Sequence, residues 1–161
     1  MLDGLRARGG PEQSGVARAQ GAPGMERLRL TIGSYTLTAR LERQRAPKTC
    51  DAFERLLPLR ARLIHVRWSG EAVWVPLGDR RLDVGFEDAS SYPPVGEILV
   101  YPGGVSEMEV LIPYGPTCFA SKAGQLAGNP LATIVEGRER LREIGLKVLW
   151  EGAQEIAIDA G

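Results

Sequence analysis

A strict alternation of apolar and polar residues runs through residues 27–32, where every second residue is Leu or Ile. This period of two is that of a β-strand with one buried face. The turn sequence Gly33-Ser34 follows, and the same alternation resumes over residues 35–42. The pattern predicts a β-hairpin at the start of the ordered chain.

The spacing of apolar residues changes at Pro47. Cys50, Phe53 and Leu56 follow three residues apart, with charged residues between them, and Pro58 ends the run. This is the spacing of one apolar helix face. Proline fits the first turn of a helix, where its missing N–H is not needed, and it stops a helix that it follows. We expect a short amphipathic helix here.

Short strand patterns separated by turn residues occupy most of the remaining chain. Strands are predicted at residues 63–68, 72–75, 82–84, 97–101, 108–112, 131–136, 146–150 and 155–158. A second helix is predicted over residues 138–144, with Gly145 as the left-handed residue that ends it. Residues 113–130, rich in Gly and Pro, are predicted to form a long loop.

The fold class follows from this count of elements. The many short strands and only two short helices predict a mainly β protein, and closure of about eight of these strands into a barrel removes the exposed edges that an open sheet would leave. The length of 161 residues suits one domain. We therefore expect a single closed β-barrel.

The amino-terminal segment differs from the rest in composition. Residues 1–24 are rich in Gly, Ala and Arg and show no apolar periodicity. They predict either a disordered tail or a start assigned upstream of the true one, before an ordered domain over residues 25–161. The segment lacks the apolar core of a secretory signal, which favours a cytoplasmic location.

The charge balance narrows the expected partners. The chain has 20 basic and 20 acidic side chains and no formal net charge, which gives no electrostatic reason to expect nucleic acid or an anionic membrane as a partner. No apolar run approaches the roughly 20 residues that cross a bilayer.

Cys50 and Cys118 are too few for a disulfide framework, and a single histidine, His65, leaves no closely spaced metal-ligand set. We expect neither a metal nor a cofactor.

Two segments carry a resemblance to a known family. Residues 46–53, APKTCDAF, resemble the first helix of cyclophilins, and residues 129–137, NPLATIVEG, resemble the segment before the second helix of that fold. A closer resemblance is to an uncharacterised group of bacterial cyclophilin-like proteins, a domain of unknown function. Their pattern of a His and Trp near the third strand, a Pro-Gly-Gly turn and a Gly-Asn pair is matched here by His65, Trp68, Trp74, Pro102-Gly103-Gly104 and Gly128-Asn129. The resemblance implies a cyclophilin-like barrel with a surface groove.

The chain departs from true cyclophilins at the positions of their catalytic residues. Those isomerases carry an Arg on the third strand and a Gln-Gly-Gly-Asp run on the fourth. This chain has Arg67 near the first position and Val73-Trp74-Val75-Pro76 at the second, which supplies no amide side chain. The resemblance therefore implies a fold and a groove rather than prolyl isomerase activity.

Six residues are candidates for a ligand site because they combine aromatic or ionisable side chains with positions beside turns and the long loop. They are His65, Trp68, Trp74, Tyr101, Glu107 and Tyr114. Histidine titrates near neutrality and suits acid–base work, while large aromatic side chains can form a stacking wall. Each also has a structural interpretation: a hydrogen-bonded core histidine, barrel-end aromatics and a solvated Glu.

These observations lead to a functional hypothesis with two alternatives. The main hypothesis is a protein that binds a small organic ligand in a surface groove, either as a binding protein or as a minor metabolic enzyme. The first alternative is a peptidyl-prolyl isomerase or a module that binds proline peptides, which rests on fold analogy alone. The second is a structural domain of a homo-oligomer. Whether a reaction is catalysed stays open at this point.

Overall fold

The computed structural model describes residues 24–161, and the predictions for the preceding segment lie outside the described residues. Ten strands are present within these described residues: β1 (Arg27–Ile32), β2 (Tyr35–Leu41), β3 (Leu59–His65), β4 (Gly70–Pro76), β5 (Glu97–Tyr101), β6 (Glu109–Thr117), β7 (Ala120–Ser121), β8 (Gly124–Gln125), β9 (Asn129–Glu136) and β10 (Gln154–Ala160). Two α-helices accompany them, α1 (Pro47–Glu54) and α2 (Leu141–Glu151), with a 3-10 turn at Arg138–Arg140 before α2. Neither helix is long or apolar enough to span a membrane.

Eight of the strands close into one barrel. Their order around it is β1-β10-β3-β4-β6-β5-β9-β2, and each neighbouring pair is antiparallel. The short strands β7 and β8 form a separate two-stranded hairpin. The prediction of a mainly β, closed barrel of about eight strands with two short helices is confirmed.

The barrel interior is built by the alternation seen in the sequence. Leu28, Leu30 and Ile32 of β1 are buried, as are the alternate residues of β2. Strands β5 and β6 differ, because all of β5 and the first seven residues of β6 are buried. Both faces of these two strands are therefore covered, one by the barrel core and the other by chain that lies outside the barrel.

A second apolar cluster covers that outer face. It consists of Ala72, Leu99, Tyr101, Leu111, Phe119 and Leu126, with Val66 and Trp74 packed at its edge. Phe119 and Leu126 come from the segment that carries the β7–β8 hairpin, and Leu126 N–H donates a hydrogen bond to the Phe119 carbonyl. The hairpin is thereby fixed against the outside of β5 and β6.

Strand β6 corrects the prediction of a loop over residues 113–130. The strand continues through Pro113 and Pro116 to Thr117. An irregularity in the pairing of β4 with β6 between Gly70 and Ala72 accommodates this stretch, and Pro113 uses its carbonyl to accept the Gly96 N–H. Proline is tolerated where a strand pairs irregularly. Only the segment after Thr117, with its small hairpin, is loop-like.

The strand predicted at residues 82–84 does not form. Leu82 is buried there as part of an extended loop and donates its N–H to the Pro102 carbonyl. The alternation signal at this position comes from one buried side chain rather than from strand pairing.

Strand β3 also starts earlier than predicted and ends at His65, which leaves Arg67 and Trp68 in the connection to β4.

The carboxyl-terminal part of the chain corrects a second prediction. The helix predicted to end at Gly145 continues to Glu151, and no strand forms over residues 146–150. Leu141, Ile144, Gly145 and Val148 are the buried positions, and their spacing is that of one continuous helix face. Gly152, with φ of 91°, ends the helix instead, and its N–H bonds to the Val148 carbonyl.

Gly145 lies inside α2 because the helix packs closely on β6. A methyl group added at Gly145 would overlap the ring of Tyr114. We predict that Gly145→Ala lowers the free energy of unfolding by about 2 kcal/mol, since overpacking outweighs the roughly 1 kcal/mol that alanine adds to a helix. Urea denaturation measures this change. Gly85→Ala is the matched control because no atom lies within 4 Å of an added methyl there; an equal loss in both variants would contradict the prediction.

A buried polar network ties α1 to β9 and to the loop before β5. The Asn129 side-chain amide donates to Thr49 Oγ1 and to the Gly85 carbonyl, both at 2.9 Å, and its Oδ1 accepts the Glu87 N–H at 3.0 Å. The Glu87 carboxylate in turn accepts the Thr49 hydroxyl and N–H, each at 2.7 Å, and the Lys48 N–H at 3.2 Å. Glu87 thus caps the amino terminus of α1 from a distant loop.

Asn129→Ala tests the energetic weight of this network. The variant removes three hydrogen bonds, one to the buried Thr49 hydroxyl and two part-buried ones to the Gly85 carbonyl and the Glu87 N–H, and each contributes about 1 kcal/mol. We expect a loss of about 3 kcal/mol in the free energy of unfolding, measured by urea denaturation. Gln125→Ala, at an exposed position of β8, serves as the control and should change stability by less than about 0.5 kcal/mol.

Candidate functional site

The six candidate residues lie on two different sides of the β3–β4–β6 sheet. His65 pairs with Val73, a core residue, so its side chain points into the barrel. Tyr114 also belongs to the barrel core. In contrast, Trp74 lies on the outer face, because its neighbours Val73 and Val75 are the residues that point inward.

His65 and Tyr114 form a hydrogen-bonded pair on the inner side. His65 Nε2 and the Tyr114 hydroxyl are 2.8 Å apart, and Nδ1 lies 2.9 Å from the Val66 carbonyl. A carbonyl can only accept, so Nδ1 carries the proton and Nε2 accepts from the tyrosine. Burial, and then the nearby Glu71 carboxylate, raise the pKa of Tyr114. The ring of Tyr114 packs against Gly145, so α2 covers the pair.

Tyr101 lies beneath the outer surface rather than on it. Its ring is buried in the second apolar cluster, edge-on to Phe119 at 6.3 Å between centroids. Its hydroxyl accepts the N–H groups of Val105 at 3.0 Å and Ser106 at 3.4 Å. Tyr101 therefore holds the turn that leads into β6, the turn on which Glu107 is carried.

The remaining three candidates meet at a groove on the outer face of the sheet, with a volume of about 260 Å³. Its apolar side is formed by Ile64, Val66, Trp68 and Trp74. Its polar side is formed by Arg67, Ser69, Ser106, Glu107, Glu109, Ser121 and Lys122. The structure thus brings together Trp68, Trp74 and Glu107, and it places His65, Tyr101 and Tyr114 elsewhere.

Strand register explains the composition of the groove. Ile64 lies directly opposite Trp74 in the β3–β4 pair, which places two large apolar side chains side by side on the outer face. On β6, Val110 and Ile112 point into the core, so Glu109 and Leu111 face outward. Because Leu111 pairs with Trp74, Glu109 lies one step along the same face.

Glu109 is the residue of this site that sequence patterns did not reveal. The residue is only 6% exposed, its carboxyl reaches the groove, and residues 24–161 supply it with no hydrogen bond or ion pair. Burial, and then the charge of Glu107, raise the pKa of Glu109 to about 8. At neutral pH the groove therefore contains a protonated carboxyl beside an exposed carboxylate.

A wider basic depression of about 600 Å³ adjoins the groove and shares Ser106, Glu107, Ser121 and Lys122 with it. Arg80 and Arg81 line this depression together with Lys122, and none of the three forms an ion pair in the described part of the chain. Across residues 24–161, no group of three or more His, Cys, Asp or Glu side chains is arranged to hold a metal ion. The groove thus offers hydrogen bonding, proton exchange and apolar contact.

The elevated pKa of Glu109 predicts a specific pH dependence of stability. Between about pH 4.5 and 8 the unfolded chain ionises Glu109 while the folded protein keeps it protonated. The wild type therefore loses stability over this range, by at most about 1.4 kcal/mol per pH unit. Glu109→Gln does not titrate, so its free energy of unfolding relative to the wild type should rise from pH 4.5 to 8 and then level off.

Urea denaturation at several pH values measures this difference. Glu107→Gln supplies the matched control: because Glu107 raises the pKa of Glu109, its removal should make the rise smaller and end it at lower pH. A difference between Glu109→Gln and wild type that stays constant from pH 4.5 to 8 would contradict the assignment.

Two solved structures of low sequence identity share the fold. McbB, determined in complex with tryptophan, aligns with a TM-score of 0.64 at 22% identity over 82% of this chain and 44% of its own, so this chain spans less than half the length of McbB. The solution structure of the hypothetical protein AF2241 from Archaeoglobus fulgidus aligns with a TM-score of 0.60 at 18% identity, over 88% of this chain and 99% of that protein. At these identities the likeness shows the fold alone.

Sequence comparison gives the family. No curated protein sequence matches this chain. The model of a family described as a protein of unknown function, DUF3830, matches residues 28–159. The match begins in β1 and ends in β10, so it includes the whole barrel, the groove and Glu109. The chain belongs to the DUF3830 family of proteins of unknown function.

Proposed function

We propose that the protein binds a small organic molecule in the groove on the outer face of β3, β4 and β6. The observation that carries the proposal is Glu109, a buried carboxyl without a partner in the described chain, at the base of a partly apolar groove. Binding sites for small molecules typically combine apolar walls with a few convergent polar groups. A ligand that hydrogen-bonds to Glu109 would supply the partner that the fold does not.

The apolar side of the groove supports an organic ligand rather than an inorganic ion. Trp74 is half-buried with one face on the second apolar cluster, while Trp68 is 53% exposed at the rim. Arg67 lies over the Trp68 ring at 5.9 Å, so the rim combines an aromatic surface with a positive charge. A planar ligand body would gain contact area on these two indoles.

The carboxyl pair also supports the form of the hypothesis in which the protein is a minor metabolic enzyme. Glu109 is protonated at neutral pH, and Glu107 is an exposed neighbour on the same groove. Two carboxyl groups whose environments separate their protonation states are suited to act as acid and base. A binding protein and an enzyme must both bind their ligand, so binding is the property to measure first.

The alternative of a prolyl isomerase or a proline-peptide module draws less support from the geometry. Cyclophilins carry a Gln-Gly-Gly-Asp run on the fourth strand, and at that place this chain has Trp74 on the outer face. Their catalytic Arg lies on the third strand, whereas Arg67 lies in the β3–β4 connection, outside the strands. The cyclophilin-like relationship and a bacterial source stay predictions from the sequence motifs. An Ala-Pro peptide in the binding screen tests this alternative directly.

A thermal-shift screen of the full chain is the first test. The panel contains aromatic amines, acids and amides, tryptophan, and an Ala-Pro peptide. A ligand present at 100 times its dissociation constant stabilises the fold by about 2.7 kcal/mol. We expect at least one small aromatic compound to bind.

Trp74→Ala then locates the site of any compound that binds. We expect it to weaken binding at least tenfold, because the ligand loses its aromatic wall. Trp150→Ala is the matched control, since Trp150 is 82% exposed on α2, away from the groove. A ligand whose affinity is the same in both variants would show that binding occurs elsewhere and would contradict the proposal.

A further inference from the structure

The chemical class of the ligand can be inferred from the charges around Glu109, on the basis of the function proposed above. The charged groups that line the groove with it are Glu107 from the turn before β6, Arg67 from the β3–β4 connection and Lys122 from the β7–β8 hairpin. In the described part of the chain, neither Arg67 nor Lys122 comes within ion-pair distance of either carboxyl. The two carboxyl groups are thus left without a cation.

The strands beside Glu109 supply no polar partner either. Its cross-strand neighbours are Pro76 on β4 and Tyr101 on β5. The hydroxyl of Tyr101 accepts two backbone N–H groups from the turn that carries Glu107 and makes no hydrogen bond to Glu109. The open side of the Glu109 carboxyl therefore faces the groove, where water or a ligand can reach it.

Three kinds of ligand group could meet this carboxyl, and they differ in what they gain. An anion could accept a hydrogen bond from protonated Glu109 and would be drawn to Arg67 and Lys122. Beside Glu109, however, it would meet the charge of Glu107, which already raises the pKa of Glu109. A neutral hydroxyl would make an ordinary hydrogen bond. A cationic nitrogen would make charge-assisted hydrogen bonds, which are roughly twice as strong, and it would neutralise the negative charge of both carboxylates.

We propose that the ligand carries a protonated amine, and that this amine binds between Glu109 and Glu107 while the apolar body of the ligand lies against Trp74. The groove has a volume of about 260 Å³. A ligand of matching size is a monoamine with one ring or a short branched chain. Neither the family description nor the two structural neighbours assign such a site to this chain.

Amine binding has a measurable consequence for protons. Without ligand, Glu109 holds its proton at neutral pH because burial raises its pKa to about 8. When the ammonium group binds, Glu109 becomes a carboxylate and its proton passes to the buffer, while the amine keeps its own. The apparent affinity should therefore rise about tenfold per pH unit up to about pH 8 and then level off.

Isothermal titration calorimetry on the full chain tests the inference with three compounds that share one apolar body. Phenethylamine is cationic, phenethyl alcohol is neutral and hydrocinnamate is anionic. We expect phenethylamine to bind at least tenfold more tightly than the other two. Titrations at pH 7 in buffers of different ionisation enthalpy should show release of close to one proton for the amine and none for the alcohol.

Substitutions in the groove provide the controls. Glu109→Gln has the shape of the protonated acid and should fold normally, yet it should lose both the preference for the amine and the proton release. Glu107→Gln, at an exposed position, should weaken amine binding without affecting the alcohol. Glu97→Gln removes a buried carboxyl on β5 that pairs with Arg45 and should leave all three affinities unchanged.

The outcomes separate this inference from the function on which it rests. If phenethyl alcohol or hydrocinnamate binds as tightly as phenethylamine and Trp74→Ala weakens that binding, the amine site is overturned while the groove remains a ligand site. If phenethylamine binds without releasing a proton, or equally well to Glu109→Gln, the amine site is likewise overturned. Failure of all three compounds to bind also overturns it, and the wider screen then decides the proposed function separately.

Discussion

The packing of Phe119 and its neighbours on the outside of β5 and β6 is the constraint on which the rest of the outer surface depends. A barrel strand normally shows one face to the core and the other to water. Here the apolar cluster of Leu99, Leu111 and Phe119 covers the second face and fixes the β7–β8 hairpin beside it. The groove exists because this cover stops short of Trp74 and Glu109, which lie at its edge.

The two faces of the β3–β4–β6 sheet consequently have different properties. On the inner face the His65–Tyr114 hydrogen bond is covered by α2, whose Gly145 allows the close approach. This pair connects β3 to β6 inside the barrel and satisfies two polar side chains that would otherwise be costly to bury. On the outer face the polar group, Glu109, has no such partner. The inner face contributes to the fold, and the outer face leaves its polar group open to the groove.

The sequence patterns predicted much of this structure, and the errors have physical causes. Alternation identified the β1–β2 hairpin and sorted His65 onto the same face as the core residue Leu63, apart from Trp68. The extent of α2 was missed because a glycine inside a helix is usually unfavourable, and only the packing of Tyr114 on Gly145 explains it. The strand pattern over residues 108–112 carried no indication that Glu109 is buried. Ser121 and Lys122 line the groove with it, and this approach of two chain segments through folding leaves no local sequence pattern.

The free-energy cost of Glu109 bears on its role. Burial of a carboxyl without a partner destabilises the folded protein, and the protein keeps it neutral instead of paired. A glutamine would fill the same space with no titration, and a leucine would extend the apolar cluster at Leu111, so the packing of the barrel gives no reason for an acid at this position. What distinguishes the acid from both is the ability to release a proton and accept a cation. Glu109 is thus a buried groove residue that the packing of the fold does not require, and this property supports the proposed ligand.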